Sequence, residues 1–99
     1  MTNSRHWDCE RQIREEIIRR IGQGNEVARV EYFHNGKRQI HVITDNAIVL
    51  CYNPNGMLIT KLIARPNQIR RYFPNGYSKK IAEVIEIAYQ HQLQGLNKM

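Results

Sequence analysis

The stretch from Arg38 to Arg65, RQIHVITDNAIVLCYNPNGMLITKLIAR, constrains the fold more than any other part of the chain. Three short apolar runs follow one another: Ile40, Val42 and Ile43, then Ile48, Val49 and Leu50, then Leu58, Ile59, Leu62 and Ile63. They are rich in β-branched residues, which suit a pleated, half-buried surface. Asp45-Asn46 divides the first two runs and Asn53-Pro54-Asn55-Gly56 divides the second pair. Asn, Asp and Gly tolerate the positive φ that tight hairpin turns require. The runs therefore read as consecutive antiparallel strands in a meander, since elements joined by short turns pair with their neighbours.

The flanks extend this pattern. Glu26 to Phe33 reads as an earlier strand, with Val27, Arg29, Glu31 and Phe33 on one side and Ala28, Val30 and Tyr32 on the other. His34-Asn35-Gly36 is the turn from it into the Arg38–Thr44 strand. From Trp7 to Ile21 the period is helical: Cys9, Ile13, Ile17 and Ile21 recur every four residues, and Ile18 widens the stripe. Glu10–Arg14, Glu15–Arg19 and Glu16–Arg20 have the spacing at which opposite charges support a helix. Gly22 and Gly24 end it. Pro66 stops the last strand, and Asn67 to Phe73 reads as one or two helical turns. Ser78 is suited to cap a final helix from Lys79 to about Gln94, with Gly95 at its C′ position. The expected fold class is α+β: an N-terminal helix, a four-stranded antiparallel meander with helix over one face, and a C-terminal helix. Ninety-nine residues imply a single domain, 1–99, with the helix and meander as a core over 6–65 and a basic segment plus the last helix over 66–99.

Charge is distributed unevenly. Fifteen Lys and Arg against nine Asp and Glu leave a net charge of +6, which favours anionic partners. No acidic residue occurs from Asn46 to Ala82, whereas that span holds Lys61, Arg65, Arg70, Arg71, Lys79 and Lys80. Tyr52, Tyr72, Phe73 and Tyr77 are interleaved with them. Cations take phosphates and aromatics stack on unpaired bases, so RNA or another nucleic acid is the expected partner. The blander alternative makes the cations a solvated face and Tyr72 and Phe73 core residues of a short helix.

Other chemistry is less well supported. His6, His34, His41 and His91 share no ligand spacing with each other or with Cys9 and Cys51, so no metal or other cofactor is expected. Both cysteines read as reduced core residues, with a disulfide between them left open. Glycine-rich phosphate loops, paired carboxylates and a serine nucleophile elbow are absent from the sequence. No apolar run reaches the length of a membrane span, and the polar N-terminus has no signal-like apolar region, so a cytoplasmic protein without membrane contact is expected. Metal-free RNA cleavage needs a base for the ribose hydroxyl, an acid for the leaving oxygen and cations for the phosphorane. His41, Thr60 and Lys61 are of suitable type, although the histidines also have structural explanations: His34 as a turn residue, His91 on a helix surface, His41 half-buried on a strand.

The helix-then-meander order, closed by Tyr52-Asn53-Pro54-Asn55-Gly56-Met57-Leu58-Ile59-Thr60, resembles the small bacterial toxin-type ribonucleases, the superfamily that groups barnase, EndoU, certain colicins and RelE. Their closing hairpin often reads D-P-x-[TN]-G-x-[VIL]-[VIL]-T, and the resemblance covers roughly residues 5–65. It implies His6 and Thr60 as catalytic residues and Arg11 as a helix contribution, and with them a cognate antitoxin or immunity protein. The sequence departs from the pattern at Asn53 and in its additional C-terminal helix. The leading expectation is a small, basic, metal-independent ribonuclease-like toxin domain acting on RNA. In it His6, His41 and Thr60 are the catalytic candidates, and Arg11, Lys61, Arg65, Arg70, Arg71 and Tyr72 hold nucleic acid. The alternatives are a non-enzymatic nucleic-acid-binding or regulatory module of the phage or mobile-element kind, and a protein-binding, immunity-type domain.

Overall fold

The computed structural model describes residues 12, 15–22 and 24–98, with 94–98 described by backbone alone. Helix α1 occupies residues 15–21. Four strands follow, β1 (Glu26–His34), β2 (Lys37–Thr44), β3 (Ile48–Tyr52) and β4 (Leu58–Ile63), then helices α2 (Pro66–Tyr72) and α3 (Lys79–Lys98). The strands form one antiparallel sheet in the order β1-β2-β3-β4, the expected meander.

Helices lie on both faces of the sheet, not on one. Ile18 and Ile21 of α1 pack toward Val42, Ile48 and Leu50. On the other face Ile43, Val49 and Cys51 meet Ile69 of α2 and Ile81, Val84, Ile85 and Ala88 of α3. This explains why β2 and β3 carry consecutive apolar residues: Ile48, Val49, Leu50 and Cys51 are all buried, alternately beneath α1 and beneath α2–α3. We call these the α1 face and the α2–α3 face.

The turns set the register. Asn35 and Gly36 both have positive φ, 53° and 78°, the requirement of a two-residue type I′ hairpin, and His34 pairs with Lys37 across it. The β2–β3 turn differs from expectation, because positive φ falls on Ala47 (62°) and on neither Asp45 nor Asn46. The loop has three residues, and its last turns left-handed as the chain re-enters the sheet. The Thr44 hydroxyl accepts from Ile48 N at 3.0 Å, and Ala64 N donates to Ala47 O at 2.9 Å, fixing the turn to both neighbours. Asn46 and Asp45 are occupied elsewhere: Asn46 Nδ2 donates to Gly22 O at 2.7 Å, and Asp45 Oδ1 accepts from Asn25 N at 3.0 Å. Together they tie the link from α1 to β1 onto the sheet. A Cβ at Gly24 would collide with these same two side chains, so the link passes them on glycine.

Two bulges adjust side-chain direction. One lies between Glu26 and Ala28, and it sends Val27 to the α2–α3 face with Ala28, against the strict alternation expected. Glu26 and Arg29, three apart and so on opposite faces of a regular strand, are thereby brought together in a two-pronged ion pair at 2.9 and 2.6 Å. The other skips Ile59, since Cys51 pairs with Thr60 while Tyr52 pairs with Leu58. With Lys61 beside it, this bulge makes β4 a poor template for a further strand.

Helix α2 is short for a helix in water and depends on tertiary contacts, which buried Pro66 and Ile69 supply. Ser78 Oγ accepts from Ile81 N at 3.2 Å, the cap expected for α3. Helix α3 runs through Gly95 to Lys98, so the C′ reading of Gly95 does not hold. A single glycine within a helix costs only about 1 kcal/mol.

Candidate nucleic-acid interface

Basic side chains fall into two classes. The described arginines early in the chain have carboxylate partners. Arg19 and Arg20 both bond Glu16, so Arg19 turns to Glu16 where the sequence offered Glu15. Arg29 is held by Glu26, and Arg38 Nε donates to Glu31 at 2.8 Å. Later in the chain, Lys61, Arg65, Arg70, Arg71, Lys79 and Lys80 make no ion pair among the described residues. Along the chain they have few acidic neighbours, since no carboxylate lies between Asp45 and Glu83. Even Glu83, four residues after Lys79, is unpaired with it; this orientation of charges is the weaker one on a helix.

Five of these six cations belong to α2, to its N-cap or to the first turn of α3. With about 100° between successive helical residues, burial of Pro66 and Ile69 turns Asn67, Arg70 and Arg71 outward. Arg70 Nη1 donates to Asn67 Oδ1 at 3.3 Å, which steadies it on that surface. Arg65 is exposed at the N-cap of α2. The connection to α3 runs through Pro74-Asn75-Gly76 and carries Tyr77, 48% exposed. Lys79 and Lys80 occupy the exposed first turn of α3, where no acidic residue is present. Lys61 stands apart. It pairs with Leu50, so it lies on the α1 face, across the sheet from the α2 arginines.

Of the remaining catalytic candidates, only His41 and Thr60 are among the described residues, and they lie apart. His6 and Arg11 lie outside the described residues. Thr60 is exposed and pairs with Cys51, which pairs with His41; Thr60 is thus two strand spacings from His41, about 10 Å. Cys51 is free and buried, and burial pushes its thiol up to about 11. Cys9 lies outside the described residues.

His41 and Tyr72 do come together, in a polar cluster set into the α2–α3 face. His41 Nδ1 lies 2.7 Å from the Tyr72 hydroxyl, and His41 Nε2 lies 2.8 Å from Gln39 Oε1. Gln68 Nε2 donates to the same Tyr72 hydroxyl at 2.9 Å. One direction satisfies every group with a neutral imidazole: Gln68 donates to Tyr72, Tyr72 to Nδ1, and Nε2–H to Gln39. Tyr32 stacks on the imidazole, with centroids 4.6 Å apart and planes 28° apart, and Tyr72 meets both rings edge-on. His41 is 4% exposed and has both nitrogens occupied. Burial, first among its causes, raises the Tyr72 phenol to about 12.

Tyr32, Gln39 and Gln68 were missing from the sequence candidates. The first two were within reach of it. A two-residue Asn-Gly turn pairs His34 with Lys37, hence Tyr32 with Gln39 and Val30 with His41, which makes Tyr32 a diagonal neighbour of His41. Gln68 carried no such signal, because its approach depends on how α2 folds back.

Burial, and then the nearby charge of His34, lowers the pKa of His41; burial also lowers that of His91, whose Nδ1 is enclosed without a partner. A lowered imidazole pKa means that the fold favours the neutral ring. The resulting stability is complete above the ordinary value of 6.5, declines as pH falls below it, and is lost once the folded-state value is passed. Urea unfolding midpoints should therefore drop between about pH 7.5 and about pH 5. His41→Gln should flatten that dependence, and an unchanged slope would show that His41 titrates normally in the fold.

Among the described residues no group of His, Cys, Asp and Glu is close enough to hold a metal ion, and no helix is long and apolar enough to cross a membrane. Comparisons with protein-family models, with curated proteins and with solved structures found no match for this chain.

Proposed function

We propose that this protein is a nucleic-acid-binding module that grips phosphates at the corner between α2 and α3, without cleaving the strand. One observation carries the reading: Arg65, Arg70, Arg71, Lys79 and Lys80 are free of carboxylate partners, while the described arginines before residue 46 are all paired. Unpaired cations on successive elements repel one another, and a polyanion relieves that repulsion while releasing its own counterions. Lys79 and Lys80 also sit at the positive end of the α3 dipole, a position that favours anions.

Among the described candidate groups, placement favours binding over cleavage. Proton transfer to or from a substrate needs groups within hydrogen-bond reach of one reacting centre. His41 is enclosed with both nitrogens engaged, Thr60 lies two strands away, and Lys61 occupies the opposite face.

Fluorescence anisotropy with labelled oligonucleotides, over a series of salt concentrations, tests the proposal. Affinity should fall linearly in log–log form, with a slope of about −0.7 per phosphate held on a single strand, or about −3 to −4 for the whole corner. The oligonucleotide should be recovered intact with chelator present. Failure to bind at low salt, or affinity indifferent to salt, would refute it.

A further inference from the structure

The corner explains how phosphates are held but says nothing of bases. Building on that reading, we propose that Tyr32 is a stacking platform for an unpaired base, so that the nucleic acid taken is single-stranded. Tyr32 lies on β1, at the edge of the sheet, and its alternation places it on the α2–α3 face with Gln39 and His41. One side of its ring rests on the His41 imidazole and its edge meets Tyr72. It is nevertheless 39% exposed, although His41 stacks against one side of its ring.

What lies beneath Tyr32 is rigid. The imidazole is clamped at both nitrogens, by Gln39 and by Tyr72, and Tyr72 is in turn held by Gln68 of α2. An exposed aromatic backed by a fixed ring loses little freedom on stacking, because its orientation is already set. A fully satisfied polar network of this kind rigidifies the surface above it.

Cations flank the platform. Arg71 is the residue before Tyr72 and close enough to lower the pKa of its phenol. Beyond Tyr32 the hairpin ends in the His34–Lys37 pair, and Lys37 makes no ion pair among the described residues. A strand leaving the α2–α3 corner past Arg71 thus reaches an aromatic surface and then a further cation at the hairpin tip. Base-on-aromatic stacking requires the base to be out of a duplex, whereas the corner cations alone do not distinguish paired from unpaired strands. Stacking is also tolerant of base and sugar, so the shared chemistry is that of single-stranded RNA or DNA.

The test compares labelled oligo(U), oligo(dT) and a blunt duplex on the wild-type protein and on Tyr32→Ala, Tyr32→Trp and Lys79→Glu/Lys80→Glu. Both single strands should bind about tenfold or more tightly than the duplex, and Tyr32→Ala should remove most of that preference. Tyr32→Trp should keep it, and in a Trp7→Phe background the indole fluorescence of that variant should be quenched on binding. Because Tyr32→Ala also exposes His41, its circular dichroism must match that of wild type; the fluorescence of the tryptophan variant provides a second readout that does not depend on it. Equal affinity for duplex and single strand, or an unquenched indole in a bound complex, would overturn the platform and leave the phosphate corner standing. If no oligonucleotide binds the wild-type protein, the corner itself is refuted and the platform with it.

Discussion

Reversing the charge of Lys79 and Lys80 together is expected to weaken nucleic-acid binding about a hundredfold at low salt while making the unbound protein more stable. The two effects have one origin. Both lysines occupy the first turn of α3, where the unsatisfied N–H groups of the helix present a partial positive charge. A cation there is unfavourable by about 0.3–1 kcal/mol, and glutamate turns the same interaction favourable. The gain for two positions is thus on the order of 1 kcal/mol or more, which raises the melting temperature of a domain this size by roughly 4–8 °C. Binding moves the opposite way, since two phosphate contacts are removed and two repulsive charges introduced. Thermal melts and anisotropy titrations on one preparation separate the outcomes. A variant that gains stability and keeps its affinity would show that the lysines face solvent without a ligand. One that loses both has simply misfolded. Residues that lower the stability of the free protein while serving its ligand are the expected signature of a binding surface.

The second large effect concerns the anchoring of α2. Ile69 is fully buried against the Ile43, Val49 and α3 cluster, and together with Pro66 it holds down a helix too short to persist alone. Ile69→Ala should cost about 2–5 kcal/mol through lost burial and the cavity left behind. That is a large fraction of the stability of a small domain. Its consequence for function follows from geometry. Arg70 and Arg71 are displayed outward only because Ile69 faces inward, and Tyr72 reaches His41 from the same turn. Partial release of α2 should therefore weaken oligonucleotide binding, and it should also free the His41 imidazole to titrate nearer its ordinary value. Ile69→Val, at about 0.5–1.5 kcal/mol, should retain both properties. Denaturant unfolding with an NMR titration of the histidines distinguishes the two variants. An Ile69→Ala protein of wild-type stability would mean that α2 is held by other contacts.

Much of the architecture was legible from local chemistry. Asn35-Gly36 has the composition of a type I′ turn and forms one; from it the register of β1 and β2 can be counted residue by residue. Pro66 marks the start of α2, and Ser78 caps α3 as its side chain allows. Where local chemistry left a choice, tertiary contacts made it. Ala47, and not Asp45 or Asn46, took the left-handed conformation, because both polar side chains were engaged with the segment joining α1 to β1. Val27 turned to the α2–α3 face through a bulge that no residue in β1 announces.

The candidate interface divides along the same line. Sequence alone determined that Lys61, Arg65, Arg70 and Arg71 have no carboxylate neighbour along the chain, because no acid occurs from Asn46 to Ala82; that no described carboxylate reaches them across the fold was decided by tertiary structure. Only the tertiary structure decided which of them share a surface. Strand alternation carried Lys61 to the α1 face, while the packing of α2 by Ile69 turned Arg70 and Arg71 outward. It also decided that His41 is enclosed beneath Tyr32 and bonded to Tyr72, thirty-one residues away in sequence. Charge composition is a property each residue carries by itself; proximity across a sheet is a property of the fold, set by the burial of apolar neighbours that make no contact with the ligand.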